Sequence, residues 1–126
     1  MPLVRIDLPE GRTPQQRAAI GQAVHDALVT ALNVPAEDRF QVITEHAPGA
    51  LAADPHYLGI ERSGQALIVD VTLNEGRSVE LKKAFYRAVA DNLHDRVGLR
   101  REDVVISLTE VRKENWSFGN GEAQYA

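Results

Sequence analysis

The sequence predicts an α/β fold made of two β-α-β units fused in one chain. Three observations carry that prediction. The chain repeats itself at an offset of 65 residues, a strand-like apolar run opens each copy, and an amphipathic stripe with a helix start signal follows in each. The repeat is direct. Glu10, Gly11 and Arg12 recur as Glu75, Gly76 and Arg77, and Ala23-Val24 as Ala88-Val89. Leu28 recurs as Leu93, Asp38 as Asp103, and Thr44-Glu45 as Thr109-Glu110. Two copies do not make a solenoid, which needs more units. They read as one supersecondary unit used twice, over residues 3–46 and 66–111.

Each element has a local reason. Val4, Ile6 and Leu8 alternate with Arg5 and Asp7, the period of a half-buried strand. The matching run, Ala66 to Leu73, is almost continuously apolar, as expected of a central strand. Thr13 is placed to cap the first helix, with Pro14 at its first position and Gln16 completing a capping box. Ser78 is placed to cap the second. Ile20, Val24, Leu28, Ala31 and Leu32 form one apolar stripe, and Leu81, Phe85, Ala88, Val89 and Val97 form the other. Asn33 and Gly98, the residue types that best tolerate a left-handed backbone, stop the two helices at matching places. A second strand closes each unit, near Phe40–Glu45 and Val104–Val111. The two strands of each unit are expected to be parallel. The result is a four-stranded sheet with both helices on one face, in a single domain spanning residues 1–126. The other face then needs cover, which self-association would supply. Residues 47–64, rich in Ala, Gly, Pro and polar residues, read as a loop with one short turn.

Composition removes several functional classes. The 126 residues carry a net charge of −4 and no cysteine. Disulfides, thiolate nucleophiles and thiolate metal sites are therefore excluded. Nothing draws the chain to nucleic acid or anionic membrane, and no apolar run nears the roughly 20 residues of a membrane span. Arg5, Asp7 and Glu10 interrupt any signal-peptide core, so a cytoplasmic location is the default. His25 and His94 are read as exposed or boundary positions on the helices, with His46 and His56 in or near the central loop. They make no close His/Glu pattern, so no metal site is expected.

Pro2 directly follows Met1. Removal of Met1 would leave a secondary amine at the start of the first strand, the one position where proline is a base. An α-amino group titrates near ~7.7–8.0, and burial or nearby cations lower that value. Asp38 has a repeat mate in Asp103, so a strand-entry cap, an ion pair and a functional role all remain open for it. Arg77 has a mate in Arg12, and either could solvate a helix start. Trp116 and Phe118 sit in a Gly-bearing tail, as packing or as pocket wall, and Phe40 lines a pocket or fills core.

Pro2-Leu3, the Glu10-Gly11-Arg12-Thr13 helix start, Val34-Pro35-Ala36 leading to Asp38-Arg39, His46 with Pro48-Gly49, Arg77-Ser78 before Lys83-Ala84-Phe85-Tyr86, and Trp116-Ser117-Phe118-Gly119 together carry a resemblance. In this ordered set the chain resembles the tautomerase superfamily of 4-oxalocrotonate tautomerase and macrophage migration inhibitory factor. It is most similar to the malonate semialdehyde decarboxylase group, over nearly its whole length. The resemblance implies that Pro2 is the catalytic acid or base, that Asp38 aids catalysis, and that Arg77 binds a substrate carboxylate. It also implies that Trp116 and Phe118 form an apolar pocket wall, here joined by Phe40. No cofactor is expected, and a homotrimer would bring three sheets together and cover their inner faces. The decarboxylase pattern has two arginines separated by one residue where this chain has only Arg77, with Glu75 two positions before it and Asn74 preceding that. Keto–enol tautomerisation of a small 2-oxo or enol acid is therefore the leading expectation. Decarboxylation of a 3-oxo acid or hydration of an unsaturated acid follows. The contrasting class is a non-catalytic ferredoxin-like binding module. An RNA-binding version would want a basic sheet with stacking aromatics, which this acidic chain with one Trp, three Tyr and three Phe lacks.

Overall fold

The computed structural model describes residues 1–126. Six main elements follow in order: β1 Leu3–Pro9, α1 Pro14–Leu32, β2 Gln41–His46, β3 Leu67–Asn74, α2 Val79–Val97 and β4 Val104–Val111. The strands form one sheet in the order β2-β1-β3-β4. Within each unit the strands are parallel, with Ile6 opposite Ile43 and Val69 opposite Ile106. The units meet through β1 and β3, which run antiparallel with Arg5 opposite Asp70. Both first strands are thus central and both second strands are edges. The fold is the α/β arrangement that the repeat implies.

The helix signals operate as read. Thr13 accepts from the Gln16 amide while the Gln16 side chain accepts from the Thr13 amide, and Ser78 accepts from the Leu81 amide. Asn33 and Gly98 close the helices with φ of 56° and 73°. Each Glu-Gly-Arg corner is latched the same way. Glu45 takes the Gly11 amide and the Arg17 guanidinium, and Glu110 takes the Gly76 amide and the Lys82 ammonium.

One core lies between the helices and the sheet. Val4, Ile6 and Leu8 of β1 and Leu67, Val69, Val71 and Leu73 of β3 meet Ile20, Val24 and Leu28 of α1 and Phe85, Val89 and Leu93 of α2. The opposite sheet face, with Leu3, Arg5 and Asp7 of β1 and Ile68, Asp70 and Thr72 of β3, is half-buried or exposed in the single chain. Two assignments change. Leu81 is not in the buried stripe: it is 43% exposed, in the first turn of α2 with Val79, which is 61% exposed. His25 is not at the surface. It is 4% exposed, sharing the inward face of α1 with Gly21, Leu28 and Leu32. Residues 47–64 form a loop containing one 3-10 turn, Tyr57–Gly59. No helix is long and apolar enough to cross a membrane.

Candidate active site

The start of β1 lies beside the turn that leads into β2. The Val4 amide donates to the Phe40 carbonyl at 2.9 Å, and Pro2 is buried. That pairing brings the chain's amine, on Met1, to 3.8 Å from Asp38 Oδ2. Asp38 is 5% exposed, and neither of its carboxylate oxygens has a hydrogen-bond partner. A bare buried carboxylate is costly, and nearly all buried polar groups avoid that state. Burial pushes the Asp38 carboxyl above its ordinary value, while the amine and His25 pull it partly back. Burial also pushes the amine down. Asp38 opposes that shift, and Arg77 and Lys113 reinforce it. Acid and base are thus drawn toward each other in proton affinity, an arrangement suited to proton transfer.

Arg77 reaches this cluster from the loop before α2. It is half-buried and donates to the Asn74 carbonyl at 3.2 Å and the Leu32 carbonyl at 3.4 Å. These bonds fix the guanidinium and leave other N–H groups free for a carboxylate. Asn74 also faces the tail, where its Oδ1 accepts from Trp116 Nε1 at 2.7 Å. Trp116 stacks on Phe118 with centroids 5.2 Å apart, and Phe118 lies 5.7 Å from Phe40. Leu3, Phe40, Trp116, Ser117 and Phe118 line an apolar cleft of about 210 Å³. Phe40, 44% exposed, belongs to this cleft and not to the core. The structure therefore makes two groupings. Asp38 and Arg77 surround the amine, Phe40, Trp116 and Phe118 form the wall, and Pro2-Leu3 is the seam between them. Glu75 is exposed and faces a separate cleft of about 410 Å³ with Asn74, Arg112, Lys113 and Tyr125.

The repeat mates behave differently. Asp103 is 1% exposed, but its Oδ1 accepts from the Ser63 amide at 2.7 Å and its Oδ2 from the Ser63 hydroxyl at 2.5 Å. Arg100 adds a charge at 3.8 Å. Asp103 is the cap that the repeat suggested, and Asp38 is not. Arg12 lines a polar hollow with Ser63, Arg100 and Asp103, away from Met1 and Pro2.

Sequence reasoning missed three neighbours of the site. Asn74 ties Arg77 to Trp116, Lys113 adds positive charge near the amine, and His25 sits behind Asp38. For His25 the signal was present, since it falls at i+4 from Gly21 and i−3 from Leu28 on one helix face. The other histidines lie elsewhere. His46 Nε2 pairs with Asp7 Oδ1 at 2.6 Å, His94 contacts the Leu99 carbonyl through Nδ1, and His56 is exposed. No three His, Asp or Glu side chains converge as a metal cage.

The small α/β scaffold thus carries a buried carboxylate near the chain's amine, with an arginine and an aromatic wall close by. A family model described as a tautomerase enzyme matches residues 38–119, and a second with the same description matches residues 2–60. The chain belongs to the tautomerase family. It is 40% identical over 124 residues to the probable tautomerase YusQ of Bacillus subtilis (strain 168), covering 98% of each chain. It superposes on the FG41 malonate semialdehyde decarboxylase inhibited by 3-bromopropiolate with a TM-score of 0.92. That match has 44% identity and covers 98% of this chain and 93% of the other. A fused 4-OT solved as a symmetric trimer matches with a TM-score of 0.79 and 27% identity, over 95% and 94% of the two chains.

Proposed function

We propose that the protein is a cofactor-independent tautomerase of small 2-oxo or enol carboxylic acids, with Pro2 as its catalytic base once Met1 is removed. The observation that carries this reading is Asp38, a buried carboxylate without a hydrogen bond, 3.8 Å from the chain's amine. Fold maintenance does not require such a state, because Asp103 occupies the same turn fully bonded. With Met1 gone, the Pro2 nitrogen becomes the amine beside Asp38. At the Met1 amine, burial lowers the proton affinity and Arg77 and Lys113 add to that shift against Asp38, and the same surroundings would act on the Pro2 nitrogen in the direction a base needs.

The chemistry is a 1,3-proton shift. The Pro2 nitrogen takes the proton from the enol oxygen as the carbonyl forms, and returns it to the adjacent carbon. The O–H bond breaks, a C–H bond forms, and no net proton is consumed. Asp38 stabilises the transient prolinium, and Arg77 holds the substrate carboxylate. Phe40, Trp116 and Phe118 receive the apolar part of the substrate. The uncovered sheet face and the trimeric relative support a homotrimer, and the absence of cysteine suits a cytoplasmic location.

Mass spectrometry of the purified protein tests the premise, with loss of Met1 expected. Phenylpyruvate enol then serves as substrate for native protein and Pro2→Ala. Retention of Met1, or equal activity of the variant, overturns the mechanism.

The likeness to malonate semialdehyde decarboxylase favours a second reading on the same residues. Protonated Pro2 would polarise a 3-oxo group while the C–C bond to the carboxylate breaks and carbon dioxide leaves. The Pro2 pKa separates the readings: a value at or below neutrality fits the base, and a value well above it fits the acid.

A further inference from the structure

One side chain from α1 anchors the turn that carries Asp38. The Nε2 of buried His25 lies 2.7 Å from the Ala36 carbonyl oxygen. A carbonyl only accepts, so Nε2 carries the hydrogen in this contact. Within Val34–Asp38 the other ties are backbone bonds and apolar packing, and Arg39, the next residue, donates from Nη1 to Gln22 Oε1 on α1 at 2.6 Å. The Asp38 amide donates to the Pro35 carbonyl at 3.0 Å, the Val34 amide donates to the Leu28 carbonyl at 3.2 Å, and the Val34 side chain is buried. The carboxylate makes no bond of its own. The backbone of the turn therefore sets its direction, and His25 ties that backbone to the helix.

This anchor is not a feature of the repeat unit. Ala90 stands at the matching position in α2. The second turn has the same backbone closure, with the Asp103 amide donating to the Arg100 carbonyl at 3.0 Å. There Ser63 holds the carboxylate directly, and Arg101 Nε reaches Asp91 on α2 across an exposed surface at 3.0 Å. A buried histidine behind the turn occurs only in the half whose carboxylate is bare.

We propose that His25 is a positioning residue for Asp38, holding the Val34–Asp38 turn so that the bare carboxylate faces the amine. The proposal rests on Asp38 belonging to the active site as set out above. Two substitutions separate positioning from simple space filling. The amide nitrogen of glutamine can donate to the Ala36 carbonyl, whereas leucine cannot. His25→Ala supplies a second donor-free variant should leucine pack badly.

Full-length native protein and these variants are compared by two readouts. In the phenylpyruvate assay, donor-free variants lose about tenfold to a hundredfold in kcat with little change in KM, as expected of a displaced catalytic group. His25→Gln recovers most of that loss. In carbon-13 NMR of the side-chain carboxyls, with the Asp38 signal assigned by its absence in Asp38→Asn, donor-free variants shift or broaden that signal and His25→Gln leaves it near native. A donor-free variant with native kcat and a native Asp38 signal overturns the proposal. So does a glutamine variant no better than leucine. Should Asp38→Asn be as active as native protein, the functional reading falls, and the NMR comparison alone decides whether His25 holds the turn.

Discussion

Asp38 and Asp103 occupy the same turn in two copies of the same unit, and their carboxylates meet different partners. Both are buried, and both turns close with the same backbone bond. Asp103 receives two hydrogen bonds from Ser63, a residue of the loop that enters β3, and Asp38 receives none. The comparison teaches that a duplicated scaffold supplies position, and that chemistry depends on what is withheld from it. A satisfied carboxylate is a cap. The same carboxylate left bare beside an amine costs stability, and it is the group that the proposed mechanism uses.

The contrast can be broken by experiment. The largest effect is expected for Asp38→Asn in the phenylpyruvate assay, a fall in kcat/KM of roughly 10²–10⁴, the range for loss of a group that assists proton transfer. Asp103→Asn in the same assay stays near native per folded molecule. If the two variants lose activity equally, the functional asymmetry is wrong.

Stability should reverse the order. Asp103→Ala leaves the Ser63 amide and hydroxyl without their partner, and about 1–3 kcal/mol of unfolding free energy is expected to disappear in urea titrations. Asp38→Asn is expected to be at least as stable as native protein at neutral pH.

That gain should depend on pH, with a sign fixed by the raised Asp38 pKa. The stability that neutral Asp38 contributes is fully present below its unfolded value near 3.8. It is lost as pH rises through the higher folded value. The asparagine variant cannot ionise and escapes this loss. Thermal midpoints of the two proteins should converge near pH 3 and separate, with the variant ahead, toward pH 7. A variant that trails native protein at pH 7 would mean that Asp38 is satisfied in solution.

The smallest effects test where the halves are alike. Glu45→Gln and Glu110→Gln weaken equivalent latches and should lower the thermal midpoint slightly and by similar amounts. A clear difference between them would show that the asymmetry extends beyond the two aspartates.

Most of the scaffold was legible because its signals are local. The alternation of Val4, Ile6 and Leu8, the Thr13-Gln16 capping box and the Asn33 and Gly98 stops each act within a few residues. The site was legible in part. Pro2, Asp38 and Arg77 stood out through the repeat and the family resemblance, but the state of Asp38 did not. Local sequence around Asp38 and Asp103 specifies the same turn, and the deciding partner, Ser63, lies 40 residues from Asp103. Asn74 was hidden for a similar reason, since its two partners, Arg77 and Trp116, come from separate segments. Leu81 was misassigned because periodicity gives a face of the helix and not where along its length the core ends.

The Ser63 contact has one more consequence. The peptide that joins the two units bonds the second unit's aspartate through Ser63, in the manner of a tethered ligand. Fusion therefore leaves one bare aspartate for every two units, and the other is bonded by its own linker.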